Sequence, residues 1–346
     1  MMTLRSSLGV LGCALGITSV LLAGGRASEA TQSPVAPVYG TIEHAHLGLA
    51  AGLGGDVPFP VDNPWNTDIS DSVRYPVDPN SAAIIAHIGA GTGLHADFGP
   101  PPYGIPYIVV DESQQRVPIE IRAEGFRAES DVMPMPIPKD APVEGYAQSA
   151  DSDAHVVILE RGRNRLYELY HAARATKGNG WLADSTAVFD LSSNNVRPSF
   201  RGRCGVTSAD AAGLPIFPGL VRYDEVAAGR IGHALRFTVE SSRAAAVPPA
   251  THWASTINAL NRAPMGMRVR LKASYVIPEH FSKETKVILQ ALKSYGMIVA
   301  DNGGNWFISG STDSRWPMES IGSELKRVKG SNFEVIKMDG LIEACH

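Results

Sequence analysis

Prolines and glycines punctuate this chain so densely that most of it can form only short elements. There are 24 Pro and 34 Gly in 346 residues. Proline lacks the amide hydrogen that helices and inner strands need, and glycine loses more chain entropy on ordering than any other residue. What survives between them, from Val57 onward, is a series of brief β-type runs. That pattern predicts a mostly-β, α+β protein with a β-sandwich or jelly-roll-like core and one or two helices. No internal repeat and no second linker divides it, so residues 57–346 read as a single globular domain, or as two tightly packed lobes. Residues 31–56 are rich in Ala, Gly and Pro without sustained periodicity, and read as a flexible lead-in.

Hairpins can be placed from their turn residues. Tyr107 to Val110 and Val117 to Ile121 flank a polar segment, and His155 to Glu160 and Arg165 to His171 flank Arg161-Gly162-Arg163-Asn164. Met297 to Ala300 and Asn305 to Ser309 flank Asp301-Asn302-Gly303-Gly304, where Asn-Gly is a strong hairpin signal. Further strands are expected at Thr186–Leu191, Ile231–Val239 and Met267–Ala273, and a short helix near Ser81–His87. One helix is well marked: Ser282 caps it and Glu284 suits its positive end. Val287, Ile288, Ala291, Leu292 and Tyr295 form a face, and Gly296 ends it.

The N-terminus carries the n-, h- and c-region order of a secretory signal peptide. Arg5 precedes the apolar run Leu8–Ala23, and small residues follow through Ala30. A membrane anchor is the rival reading, but the run is shorter than the ~20 residues a spanning helix needs. Cys13 in a loose lipobox makes a lipoprotein a further alternative. The expected product is secreted or periplasmic, with no stable membrane insertion.

Removing residues 1–30 takes away two arginines and one glutamate, changing the net charge from −4 to −5. Basic residues are scattered, so no stripe can neutralise a phosphate backbone, and nucleic acid is not an expected partner. Cys204 and Cys345 remain, and in an oxidising compartment they are expected to pair.

The central hairpin fixes a register. With Glu160 opposite Arg165, Val157 faces Glu168 and His155 faces Tyr170, so His155, Glu168 and Tyr170 share one face. Val156, Ile158, Tyr167 and Leu169 then form the core side, which His171 terminates. A carboxylate, an imidazole and a phenol on an open sheet face suit general acid–base work, although ordinary solvated strand residues would look the same. The loop 207–225 brings Asp210 and Glu225 as further carboxylates, with Arg222 and Tyr223 as binding groups. Alternatively Arg222 pairs with Asp224 or Glu225. His252, Trp181 and Trp65 are placed in loops as ligand contacts, although packing under a loop is the commoner fate of such tryptophans. His233 on its apolar strand reads as a core histidine. There is no G-x-S-x-G, no phosphate-binding loop and no H-E-x-x-H. No cofactor and no metal is assigned.

The segments PFPVDNPWNTDIS, VTSADAAGLPIFPGLVRYDEV, HALRFTV and ALKSYGMIVADNGGNWFISG resemble a group of secreted bacterial and fungal proteins that are largely uncharacterised. The resemblance spans about residues 58 to 336 and implies no reaction. From the candidate residues themselves the expectation is a secreted carbohydrate-active enzyme, a glycoside hydrolase or polysaccharide lyase, acting on a polysaccharide or glycan. Its alternative is a non-catalytic glycan- or wall-binding protein.

Overall fold

The computed structural model describes residues 37–122, 124–145, 152–195, 197, 199–200 and 204–343. The expected signal peptide and Cys345, half of the expected disulfide, lie outside them. The described chain is mostly strands, with four helices. A five-stranded sheet runs in the order Ser185–Asp190, Arg165–Tyr170, Val156–Glu160, Tyr107–Val110, Gly48–Leu49. A six-stranded sheet runs Phe333–Val335, Arg268–Leu271, Met297–Asn302, Leu235–Val239, Phe307–Ser309, His95–Asp97. Both are mixed, with parallel pairs such as Tyr107–Val110 beside Val156–Glu160.

The two sheets share one apolar core. Tyr107, Val109, Val157, Leu159, Leu166 and Phe189 come from the first, and Leu235, Phe237, Val269, Val299 and Ile308 from the second. The opposite face of the hairpin is also covered. Val156, Ile158, Tyr167 and Leu169 pack with Ile119, Ile121 and Trp181 of a three-stranded sheet. A strand buried on both faces reads as a continuous apolar run, as Val156–Leu159 does. The hairpin pairs in the expected register, Val157 opposite Glu168 and Glu160 opposite Arg165.

The helices are α1 (Ser81–Ile88), α2 (Tyr223–Ala228), α3 (Lys283–Ser294) and α4 (Met318–Leu325). In α3 the Ser282 hydroxyl accepts from the Thr285 N–H, and Ile288, Ala291 and Leu292 are buried. Gly296 follows it at φ +67°, a left-handed backbone that suits glycine.

Two expected hairpins are corrected. Met297–Asn302 and Phe307–Ser309 do not pair, because Leu235–Val239 lies between them. The turn opens to admit it: the Gly303 and Trp306 N–H groups donate to the Val239 and Thr238 carbonyls. Tyr107–Val110 and Ile119–Ile121 belong to different sheets, each pairing in parallel with a later strand. Turn residues specify a chain reversal; they do not specify which strand lies alongside.

The part of the lead-in that is described, residues 37–56, packs with the rest. Ile42, Ala45 and Leu53 are buried in the main core, and Val38–Tyr39 pairs with Asp56–Val57. No helix among the described residues is long and apolar enough to cross a membrane.

Candidate acid–base site

His155 and Glu168 share a face, as the register requires, but that face is not open. The loop 206–220 lies over it and both side chains are buried. The Ile216 N–H donates to both Glu168 oxygens (2.9 and 3.0 Å), and the Phe217 N–H donates to Oε1 (2.9 Å). Burial outweighs these donors and pushes the Glu168 carboxyl up to about 7. Glu168 therefore anchors the loop to the hairpin.

His155 lies beside it with Nδ1 on Glu144 Oε2 (2.5 Å) and Nε2 on the Ala209 carbonyl (2.9 Å). A carbonyl oxygen only accepts, so Nε2 carries a hydrogen, and a second proton lies between Nδ1 and the carboxylate. Burial by itself would lower the imidazole, but the Glu144 carboxylate outweighs it and His155 rises to about 9. Glu144, Asp153 and His155 bring ligand atoms within 4.8 Å of one another, a spacing that could suit a metal. As arranged, neither imidazole nitrogen offers a lone pair, and the donor set does not fit one.

Beyond Glu168 lies a second layer. Arg236 donates to Asp210 Oδ2 (3.2 Å) and to Ser309 Oγ (2.6 Å). Asp210 Oδ1 and Arg236 Nε are buried with no partner among the described residues. Burial raises Asp210 to about 6 and Asp301 to about 7, and Asp210 adds charge repulsion at Asp301. Asp301 stands where the pairing of Leu235–Val239 with Met297–Asn302 shifts register, an irregularity that re-aims side chains.

The remaining expected residues do not join this group. Glu225 pairs with Arg222 (2.7 Å) and His233 (3.0 Å) at α2. Arg222 is buried over the Phe217 ring, and Tyr223 packs on Trp316 beneath Arg315. Trp181 is on a strand with Arg174 stacked on it, and Trp65 is in the core; each is 2% exposed, so neither is the loop aromatic expected. Burying an indole's large apolar area outweighs its use at the surface. His252 Nδ1 hydrogen-bonds the Ala211 carbonyl (2.7 Å). A cleft of about 370 Å³ lined by Pro101, Pro102, Pro106, Pro142, Val143 and Arg315 is bordered by none of the expected residues.

A further group went unread in the sequence. His171 sits at φ +50°, and Ala154 across the hairpin end is at +45°. Left-handed non-glycine residues are uncommon and concentrate at functional sites. His171 thereby leaves the strand alternation, and its ring centroid lies 6.1 Å from that of Tyr170 instead of on the opposite face. Its Nδ1 bonds Asp184 Oδ2 (2.6 Å), while Arg122 donates to Asp184 Oδ1 (2.7 Å) and to the His171 carbonyl (2.5 Å). Burial would raise Asp184, but the bonds from His171 and Arg122 outweigh it and hold the carboxyl low. Tyr170 is raised by burial and by the Asp153, Asp301 and Asp184 charges around it, so its phenol stays protonated. The sequence carries no signal for this placement, which rests on a strand pairing seen in the structure. Ser185 pairs with Tyr170, and the same register sets Asp184 opposite His171.

The resemblance noted in the sequence carries no activity to these residues. Compared with protein-family models, with curated proteins and with solved structures, the chain matched none of them.

Proposed function

We propose that this protein is a secreted carbohydrate-active enzyme that cleaves a polysaccharide or glycoconjugate at the open end of the central hairpin. One observation carries the reading: the charges of Asp301 and Asp184 both act on Tyr170, burial raises Asp301 to about 7, and the bonds from His171 and Arg122 hold Asp184 low. Glycoside cleavage needs one carboxyl that keeps its proton and one that does not. Asp301 is the proton donor in this reading, and its charge acts on the Tyr170 phenol. The guanidinium groups of Arg122 and Arg236 are committed to Asp184 and Asp210. Their charges are balanced by these carboxylates, which favours hydrolysis over elimination.

The second reading, a non-catalytic glycan- or wall-binding protein, draws on the closure of loop 206–220 over Glu168 and His155. A polysaccharide panel scored for reducing ends and for 235 nm absorbance separates the two. Hydrolysis gives reducing ends without the absorbance, and Asp301→Asn should lower the rate by about 10²- to 10⁴-fold. Retention on a glycan with no cleavage of any panel member supports the binding reading instead.

A further inference from the structure

We propose that His171, Asp184 and Tyr170 form a water-activating unit that hydrolyses carboxyl esters, an activity separate from glycan-chain cleavage. The contact to Asp184 fixes the hydrogen on Nδ1 and leaves the lone pair on Nε2, the arrangement of a general base. No described residue hydrogen-bonds Nε2, and the His171 side chain is 39% exposed, so water and a small ester can reach it. Arg122 is a positioning residue. It holds the other oxygen of Asp184 and the His171 carbonyl together, so the ring and its left-handed backbone are fixed by one guanidinium.

The His171 and Tyr170 rings are neighbours, with centroids 6.1 Å apart, so an ester that meets Nε2 at the exposed ring edge lies beside the phenol. His171 Nε2 takes a proton from water as the water oxygen bonds to the ester carbonyl carbon. The carbonyl oxygen becomes an oxyanion, which accepts a hydrogen bond from the Tyr170 O–H. On collapse the bond from carbon to the alkoxy oxygen breaks, and that oxygen takes the proton back from Nε2. The products are a carboxylic acid and an alcohol, and no redox partner or further reactant is needed.

The probe is 4-nitrophenyl acetate, with release of nitrophenolate followed for the mature protein and for variants. His171→Asn is chosen because Asn tolerates a left-handed backbone, so the fold should persist. Release should fall at least 100-fold in His171→Asn and at least tenfold in Tyr170→Phe and Asp184→Asn. Nitrogen NMR of the imidazoles gives a readout independent of turnover: His171 should hold its hydrogen on Nδ1, and Asp184→Asn should abolish that preference. Wild-type release no faster than that of the guanidinium-unfolded chain overturns the proposal. So does equal release by wild type and a folded His171→Asn, or an Nε2–H tautomer at His171. None of these outcomes depends on glycan cleavage, so this inference and the preceding one can fail separately.

Discussion

Replacing Glu168 by Gln tests whether burial or hydrogen bonding dominates at the centre of the hairpin. The carboxyl sits at about 7 in the folded chain against an ordinary 4.5. The folded state therefore binds its proton more tightly than the unfolded state does. The sign follows: this group's contribution is complete below about 4.5 and is lost as pH rises toward 7, by about 3 kcal/mol. A glutamine has no such titration. Its single oxygen can still accept from Phe217 and Ile216, so at pH 4.5 the variant should be about 1 kcal/mol less stable than wild type. At pH 8 that order should reverse, with the variant about 2 kcal/mol more stable. Guanidinium unfolding at pH 4.5, 6 and 8, with equal slopes required, measures the difference. Asp210 loses in the variant the Glu168 charge that helps raise it, so part of the difference passes through Asp210. Wild-type and variant curves that run parallel across this range would refute the reasoning.

Two more outcomes follow from the same geometry. His155, raised to about 9, contributes stability that is complete below its ordinary 6.5 and disappears as pH rises through 9. The wild-type melting temperature should fall across that window and His155→Gln should flatten the fall; equal slopes would remove the ion pair from the account. A Cβ at Gly219 would lie 2.8 Å from the Trp65 ring and 2.9 Å from the Arg236 Cβ. Gly219→Ala should therefore destabilise by about 1–3 kcal/mol in denaturant unfolding, and a neutral result would mean that the indole can retreat.

Local pattern was legible where local chemistry decides it. The cap and face of α3, the class of the fold and the register of the central hairpin all follow from neighbours in sequence. Partners across long separations were not legible. Nothing near residue 297 announces that Leu235–Val239 will enter the 297–309 turn. The shared face of His155 and Glu168 was readable, but its cover was not, because the Ile216 and Phe217 amides that meet Glu168 carry no side-chain signature. His171 was assigned to the wrong face because alternation assumes extended backbone, and its positive φ breaks that assumption.

The strand inserted into the 297–309 turn also bears on how the chain acquires its structure. Met297–Asn302 and Phe307–Ser309 are close in sequence, yet they are joined in one sheet only through a segment some sixty residues upstream. A tight hairpin could form early and locally. This arrangement must first close a long loop, which places its formation on the slower, topology-limited side of folding. The segment containing α3 and the following strands is then not an independent folding unit. Cut free of residues 235–239, Met297–Asn302 keeps its pairing with Arg268–Leu271, but Phe307–Ser309 loses the strand that ties it to them.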